Sequence, residues 1–234
     1  MATLNTYTVS EIYYNAKVSI LPIEVEQALI ASTGGIINLP AVAYKCEQKT
    51  ITPSSTGFND KFSFQYSSMK NFLFWVQNNT SATDILKRSI SSRPKANISE
   101  YYLNINGELY PTQSIAGSAR QYAELIRSFD GLTDTNFGGI ITNNNYTLVT
   151  ATTATDIIPA DPLATAQKRF IAGIDLDRFN RSSEVLMSGT STIGQMLSLV
   201  VNMSTGTNDT LNLYGACMYD VLYHIENGQL TAKF

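Results

Sequence analysis

Few side chains in this sequence have the type and spacing that chemistry requires. The single histidine, His224, lies two residues before Glu226, so both side chains would lie on one face of an extended strand. A zinc ion needs three or four protein ligands, and this pair cannot hold one without distant partners. The sequence has no G-x-S-x-G, and "GTSTIG" lacks the lysine of a phosphate-binding loop. We therefore expect no catalytic residue, no metal ligand, no cofactor and no enzymatic activity.

A second pair of candidates is Asp175 and Asp177, in "GIDLDRF". They also share a strand face, and paired carboxylates can perform acid–base catalysis or bind calcium. Arg178 and Arg181 follow directly in the sequence. We expect these carboxylates to form local ion pairs with the two arginines.

Positive charge is concentrated in "KRSISSRPK", where Lys87, Arg88, Arg93 and Lys95 have no nearby carboxylate until Glu100. Such a segment could contact nucleic acid or an acidic neighbour, or it could be a solvated loop, which we favour. The net charge of −3 argues against a protein that coats nucleic acid by neutralising phosphates. We expect no specific nucleic-acid binding.

Charged residues make up only 15% of the chain, against about 25% in typical soluble domains. Protein interfaces lose charge at their centres, so this composition fits a surface covered by copies of the same protein. A secreted or simply Thr-rich β protein would give the same composition. The N-terminus lacks the pattern of a secretory signal, and no apolar run reaches the ~20 residues of a membrane span. Cys46 and Cys217 make no disulfide framework. We expect a protein made inside the cell and not secreted.

The elements that would position these residues are mostly strands. Residues 6–20 are rich in β-branched and aromatic residues, and 37–51 read as extended, with Pro40 allowing only an edge strand or the beginning of a strand. The continuous apolar run in "NFLFWV" predicts a strand buried on both faces, with Phe72, Phe74 and Trp75 in the core.

A hairpin and two helices are also predicted. Asn106-Gly107 tolerates positive φ at both positions, which favours a two-residue turn, and Pro111 would end the returning strand. A short helix follows Pro22 and ends at Gly34-Gly35. A second helix follows the hairpin, with one apolar face formed by Ile115, Ala119, Tyr122, Ile126 and Phe129.

The C-terminal third returns to strands. Residues 211–226 predict one long strand with alternating faces, followed by a second hairpin at Asn227-Gly228. Residues 131–166 form a long polar insertion between strands. With about eight strands and no linker, we expect residues 1–234 to form a single all-β domain, an antiparallel eight-stranded jelly-roll sandwich with one or two short helices in its loops.

Four stretches, the last of them a pair, carry a resemblance to a known family, together with "SEIYYNAKVSILP" near the start. They are "FQYSSMKNFLFWV", "SISSRPKANISEYYLNINGELYP", "GSARQYAELIRSF", "LMSGTSTIGQMLSLVVNM" and "LNLYGACMYDVLYHIENGQLTAKF". The chain resembles the C-terminal half of the double jelly-roll major capsid proteins of polinton-like and adintovirus-type DNA viruses. The resemblance implies a virion protein that self-assembles with its own copies and other capsid proteins into capsomers of an icosahedral shell, trimeric where both rolls are present. This chain has room for one roll.

Two other functions are kept as alternatives. A jelly-roll receptor- or glycan-binding head of a fibre or spike would expose aromatic side chains beside polar ones, for example Tyr146 with Asn143–Asn145. A sandwich-fold hydrolase or metal enzyme would need carboxylates clustered around His224.

Overall fold

Strands dominate the described part of the chain. The computed structural model describes residues 22–78, 93, 95–129, 146, 170–177, 187–206, 210–226 and 229–234. The elements within these residues, in chain order, are α1 Ile23–Ser32, β1 Ile36–Ile51, β2 Gly57–Phe62, β3 Met69–Asn78, β4 Ile98–Ile105, β5 Glu108–Ala116, α2 Ser118–Ser128, β6 Ala172–Asp175, β7 Leu197–Met203, β8 Leu211–Glu226 and β9 Gln229–Lys233. Neither described helix is long and apolar enough to cross a membrane.

The strands form two sheets, with the orders β1-β8-β3-β6 and β2-β7-β4-β5. Four antiparallel pairs are nested within one another: β1–β8, β2–β7, β3–β6 and β4–β5. They are the pairs that one long hairpin would form, with β1 and β8 at its open end and the β4–β5 turn at its tip. Wrapping that hairpin brings β8 beside β3 and β7 beside β4, which completes each sheet. This is the strand order of a jelly roll, so the predicted fold is confirmed.

Aromatic side chains from both sheets meet in the core. The ring of Phe62 lies 5.5 Å from that of Phe64 and 5.2 Å from that of Phe72, between ring centroids. Phe74 of one sheet packs edge-on against Tyr101 of the other at 5.0 Å. All five side chains are buried. Because a buried aromatic side chain removes a large apolar area from water, these contacts hold the two sheets face to face.

Strand β3 has one buried face, where the sequence predicted two. Phe72 and Phe74 are fully buried, as expected, but Leu73 and Trp75 are only partly buried. Trp75 stacks on Tyr214 of β8 on the side of the sheet away from the core. The prediction of Trp75 as a core residue is therefore wrong, because β3 belongs to a sheet whose second face is left partly open.

The first predicted hairpin is confirmed. Asn106 and Gly107 both have positive φ, and Ile105 pairs with Glu108 across them. Pro111 does not end the returning strand, because β5 continues to Ala116. Strand β5 is an edge strand, so a residue without an N–H costs no hydrogen bond on its open side.

Helix α2 lies where predicted but presents a different face. Its buried side chains are Gln121, Leu125 and Ser128, whereas Ala119 and Phe129 are exposed. The helix packs over Gly173 of β6, where an added Cβ would clash with the Ser128 hydroxyl. Because the helix lies so close to the sheet at this glycine, the small polar side chain of Ser128 faces the sheet there. The apolar pattern of the helix therefore did not predict which of its faces is buried.

The remaining predictions have mixed outcomes. Helix α1 and the edge position of β1, with Pro40, are confirmed. Strand β8 runs unbroken over the predicted 211–226, and its residue Glu226 pairs with Gln229 of β9, as the second hairpin requires. Most of the polar segment 131–166 and the N-terminal residues 6–20 lie outside the described residues.

Candidate functional site

The predicted His224–Glu226 pair exists at the end of β8. The imidazole Nε2 lies 3.4 Å from a carboxylate oxygen of Glu226, and Nδ1 lies 2.8 Å from Oδ1 of Asn38 on β1. Among the residues that the structure describes, no group of three or more His, Cys, Asp or Glu side chains could hold a metal ion. The pair therefore has the geometry of surface hydrogen bonds, one of which joins β8 to β1.

Asp175 makes an ion pair, but with a different arginine from those predicted. Its carboxylate lies 3.1 Å from Nε of Arg127 on α2, and it accepts a hydrogen bond from the backbone N–H of Asp177. Arg178 and Arg181 lie outside the described residues. Burial raises the pKa of Asp175 to about 6, against the lowering effects of the Asp177 N–H and of Arg127. The ion pair joins α2 to β6.

Two of the four basic residues of 87–95 are described, and one of them is not solvated. Lys95 is buried, and its ammonium donates a hydrogen bond of 2.8 Å to the Ser118 hydroxyl at the start of α2. Burial lowers the pKa of Lys95. The carbonyl of Arg93 accepts a hydrogen bond from the N–H of Phe170. The prediction of a solvated loop is wrong for Lys95, and Lys87 and Arg88 lie outside the described residues.

A buried polar cluster at the start of β3 had no signal in the sequence. Asp220 of β8 is fully buried, and its carboxylate accepts hydrogen bonds from the Ser68 hydroxyl at 2.6 Å and from the N–H of Met187 at 2.9 Å. The ammonium of Lys70, also buried, lies 3.3 Å from the other oxygen of Asp220. Ser68 and Asp220 are 152 positions apart. The cluster ties β3, β8 and the segment before Thr190 together.

Tyr146 is not available for binding at the surface. Its side chain is fully buried and packs against the rings of Tyr122 and Phe170 at 5.2 and 5.1 Å. The idea that Tyr146 is an exposed aromatic of a glycan-binding head is therefore wrong. Asn143–Asn145 lie outside the described residues.

An apolar surface lies on the side of the first sheet that faces away from the core. Directly paired residues share a face of an antiparallel sheet, which places Tyr44 beside Met218 and Cys46 beside Ala216 and Leu73. We call this surface the open sheet face, and it comprises Val42, Tyr44, Cys46, Leu73, Trp75, Tyr214, Ala216 and Met218. Each of these side chains is exposed or partly exposed.

The open sheet face is bounded on one side by α2. This helix covers β6, where Gly173 lies under Leu125 and Ser128, and Asn71 donates a hydrogen bond of 2.8 Å to the Ser128 carbonyl. Beyond Asn71 the apolar side chains of β3, β8 and β1 follow one another across the sheet. Tyr44 is the most exposed of the large apolar side chains on the face, at 71%. Sequence analysis missed this surface because it assigned Trp75 to the core.

Comparison with solved structures finds viral proteins. A chain in the cryo-EM structure of the Sputnik virophage is 16% identical, with a TM-score of 0.46, over 86% of this chain and 39% of that one. PBCV-1 VP54, fitted into a reconstruction of the virophage Sputnik, is 12% identical with a TM-score of 0.46, over 90% of this chain and 54% of that one. A chain of the PBCV-1 virus capsid is 12% identical with a TM-score of 0.43, over 85% and 52%.

All three neighbours are from viral structures, and the third belongs to the PBCV-1 virus capsid. This chain spans about half of their length or less. No protein-family model matches the sequence, and no curated protein is similar to it.

Proposed function

We propose that the protein is a structural capsid protein, one jelly roll of a major capsid protein of the kind that the sequence resembles. The observation that carries this proposal is the complete jelly-roll order of the two sheets. The family-like stretches coincide with whole parts of the roll: "FQYSSMKNFLFWV" leads into β3, the Asn106-Gly107 stretch forms the β4–β5 hairpin, and the two closing stretches form β7 and β8–β9.

The physical properties of the chain suit a shell subunit. A closed symmetric shell needs a rigid block that presents the same surfaces at every position. A sandwich with an aromatic core is such a block, and its charge-poor surface meets other copies at little cost in desolvated charge. With a net charge of −3, the subunit would enclose DNA without coating it. We place the protein in the virion, with its own copies and other capsid proteins as partners.

We further propose that residues 1–234 make up one jelly-roll domain and that a capsomer needs a second roll beside it. That roll is supplied either by a segment of the same natural polypeptide or by another copy of this chain. Where both rolls are joined in one subunit, a trimer would form a pseudo-hexameric capsomer.

The test is production of the chain in a host cell, followed by separation of the lysate on a density gradient. The proposal predicts that the chain sediments in fractions that contain ordered oligomers, plates or shells by negative-stain imaging. A variant with Asp220→Ala, in which the buried cluster is broken, serves as a control for assembly by misfolded protein. A chain that stays at the top of the gradient at every expression level would contradict a capsomer built from copies of this chain alone.

A further inference from the structure

We propose that the open sheet face binds the same face of a second copy of this chain, with one sheet packed on the other. This inference deepens the proposed function and rests on it, since it names the surface through which copies would meet. Three neighbouring rows of side chains across the sheet carry the inference. In the first, Tyr44 lies beside Met218, and in the second, Cys46, Ala216 and Leu73 lie side by side across three strands. In the third, Trp75 stacks on Tyr214.

The composition of the face is that of an interface centre. Interface centres are enriched in Tyr, Trp and Met and depleted of charged residues. The eight side chains of the open sheet face include two tyrosines, one tryptophan and one methionine, and none of them carries a charge. On the same side of the sheet, Asp220 is buried against Lys70, and two exposed residues of opposite charge, Glu226 and Lys233, lie at the far end of β8 and on β9. A face of this kind can lie on its own copy without repulsion between like charges.

The whole outer side of these strands, with the open sheet face at its centre, has the area that a stable dimer requires. β1 and β8 each have 16 residues, which at about 3.4 Å per residue is roughly 50 Å of length. Three strands at about 4.8 Å spacing, with β3 or β9 beside β8, give a width of roughly 14 Å. The product is about 700 Å², close to the roughly 800 Å² that each partner buries in an interface of standard size.

The shape of the face also suits packing on a second sheet. Two sheets pack about 10 Å apart when large and small side chains interdigitate. Here the large side chains of Tyr44 and Trp75 flank the small ones of Cys46 and Ala216. On this same side of the sheet, α2 already covers β6, so a second copy would extend the covered area from the helix to the edge strand β1.

The first experiment compares two variants of one strand. Tyr44→Glu places a charge in the centre of the open sheet face. Leu39→Glu places a charge on the opposite face of the same strand, at a side chain that is 48% exposed. Sedimentation velocity over a concentration series gives the dissociation constant of each protein. We expect Tyr44→Glu to weaken self-association by about thirty-fold or more, as for an interface hot spot, and Leu39→Glu to change it by less than about three-fold.

Cys46 supplies an independent probe within the native sequence. It is exposed on the face, whereas Cys217 is buried, so a maleimide reagent should modify Cys46 alone in the monomer. We expect the rate of modification to fall at least ten-fold as the concentration rises through the dissociation constant of the dimer. The variant Cys46→Ala gives the background from Cys217.

The outcomes separate the two proposals. If the native chain associates, Tyr44→Glu and Leu39→Glu associate equally well and Cys46 remains reactive, the open sheet face is not the interface, while the capsid function stands. If the native chain is monomeric at all concentrations, the inference fails, whereas a capsid role in which the second roll belongs to the same polypeptide still stands. If Cys46 is unreactive in a monomer, the face is covered by the chain itself, which would also overturn the inference. Equal thermal melting of both variants as monomers is the control for folding.

Discussion

At the scale of single residues, the charges that matter most are buried and paired over long distances in the sequence. Asp220 takes hydrogen bonds from Ser68 and Met187 and faces the ammonium of Lys70. Removing one partner of a buried ion pair leaves the other charge without compensation, which costs more than the pair itself contributes. Exposed pairs are screened by water and contribute little.

We therefore expect Asp220→Ala to lower the free energy of unfolding by about 3–5 kcal/mol. Glu226→Ala, which removes the exposed partner of His224, is the matched control, and its effect should be below about 1 kcal/mol. Urea denaturation of the three proteins measures both values. Equal effects of the two substitutions would show that the Asp220 cluster is not buried as described.

Asp175 gives the protein a pH dependence of known sign. Its pKa in the folded protein is raised to about 6 from the ordinary value of 3.8, chiefly by burial. The folded state thus binds this proton more tightly than the unfolded state does. The contribution of protonated Asp175 to stability is fully present below about pH 4 and is lost as the pH rises through about 6.

The measurement is the difference in unfolding free energy between the native chain and Asp175→Asn from pH 4 to pH 7.5. The native chain should lose stability relative to the variant as the pH rises, with most of the change between pH 4 and 6. The difference isolates Asp175 from Glu100, whose pKa is lowered by hydrogen bonds from Asn202 and Ser114 and which acts in the opposite direction at lower pH. A difference that is constant with pH would contradict the raised pKa.

At the scale of elements, the alternation of β3 decides which of its aromatic residues stabilise the fold. Phe72 and Phe74 point into the core, and Trp75 stacks on Tyr214 outside it. We expect Phe72→Ala to cost about 3–5 kcal/mol. Trp75→Ala should cost clearly less, because its ring is already partly in contact with water. Chemical denaturation compares the two, and a larger loss for Trp75 would contradict the assignment of faces.

Gly215 sets the distance between β8 and the core rings. An added Cβ there would clash with the ring of Phe62. Gly215→Ala should destabilise the protein by about 1–3 kcal/mol, as overpacking does, and Phe62→Leu in the same chain should recover part of that loss. Thermal melts of the single and double variants test this coupling. Additive losses would show that Phe62 is not the group that the new methyl meets.

Sequence patterns predicted the elements better than their contacts. The Asn106-Gly107 turn, the long strand 211–226 and the edge position of β1 follow from local rules on turns, alternation and proline. The orientation of α2 does not, because it depends on a glycine about 50 positions away, Gly173. Likewise, the run around Trp75 is apolar on both sides because one side faces the core and the other forms the open sheet face.

At the scale of the whole molecule, the nested pairing of the strands is the central structural result. It joins residues from distant parts of the chain, such as Ile36 with Glu226, into one roll. The sequence predicted the jelly roll from the number and alternation of the strands and from a family resemblance. Which surface would meet other copies could not be predicted, because a continuous apolar run does not show which of its residues face away from the core.

The most direct test of the account is the mass of the purified chain by light scattering on a sizing column, with negative-stain imaging of the same peak. A capsid subunit that uses the open sheet face predicts dimers or larger ordered assemblies at high concentration, and their loss in Tyr44→Glu. A native chain that elutes as a monomer at every concentration, with no ordered assembly in the images, would contradict the account.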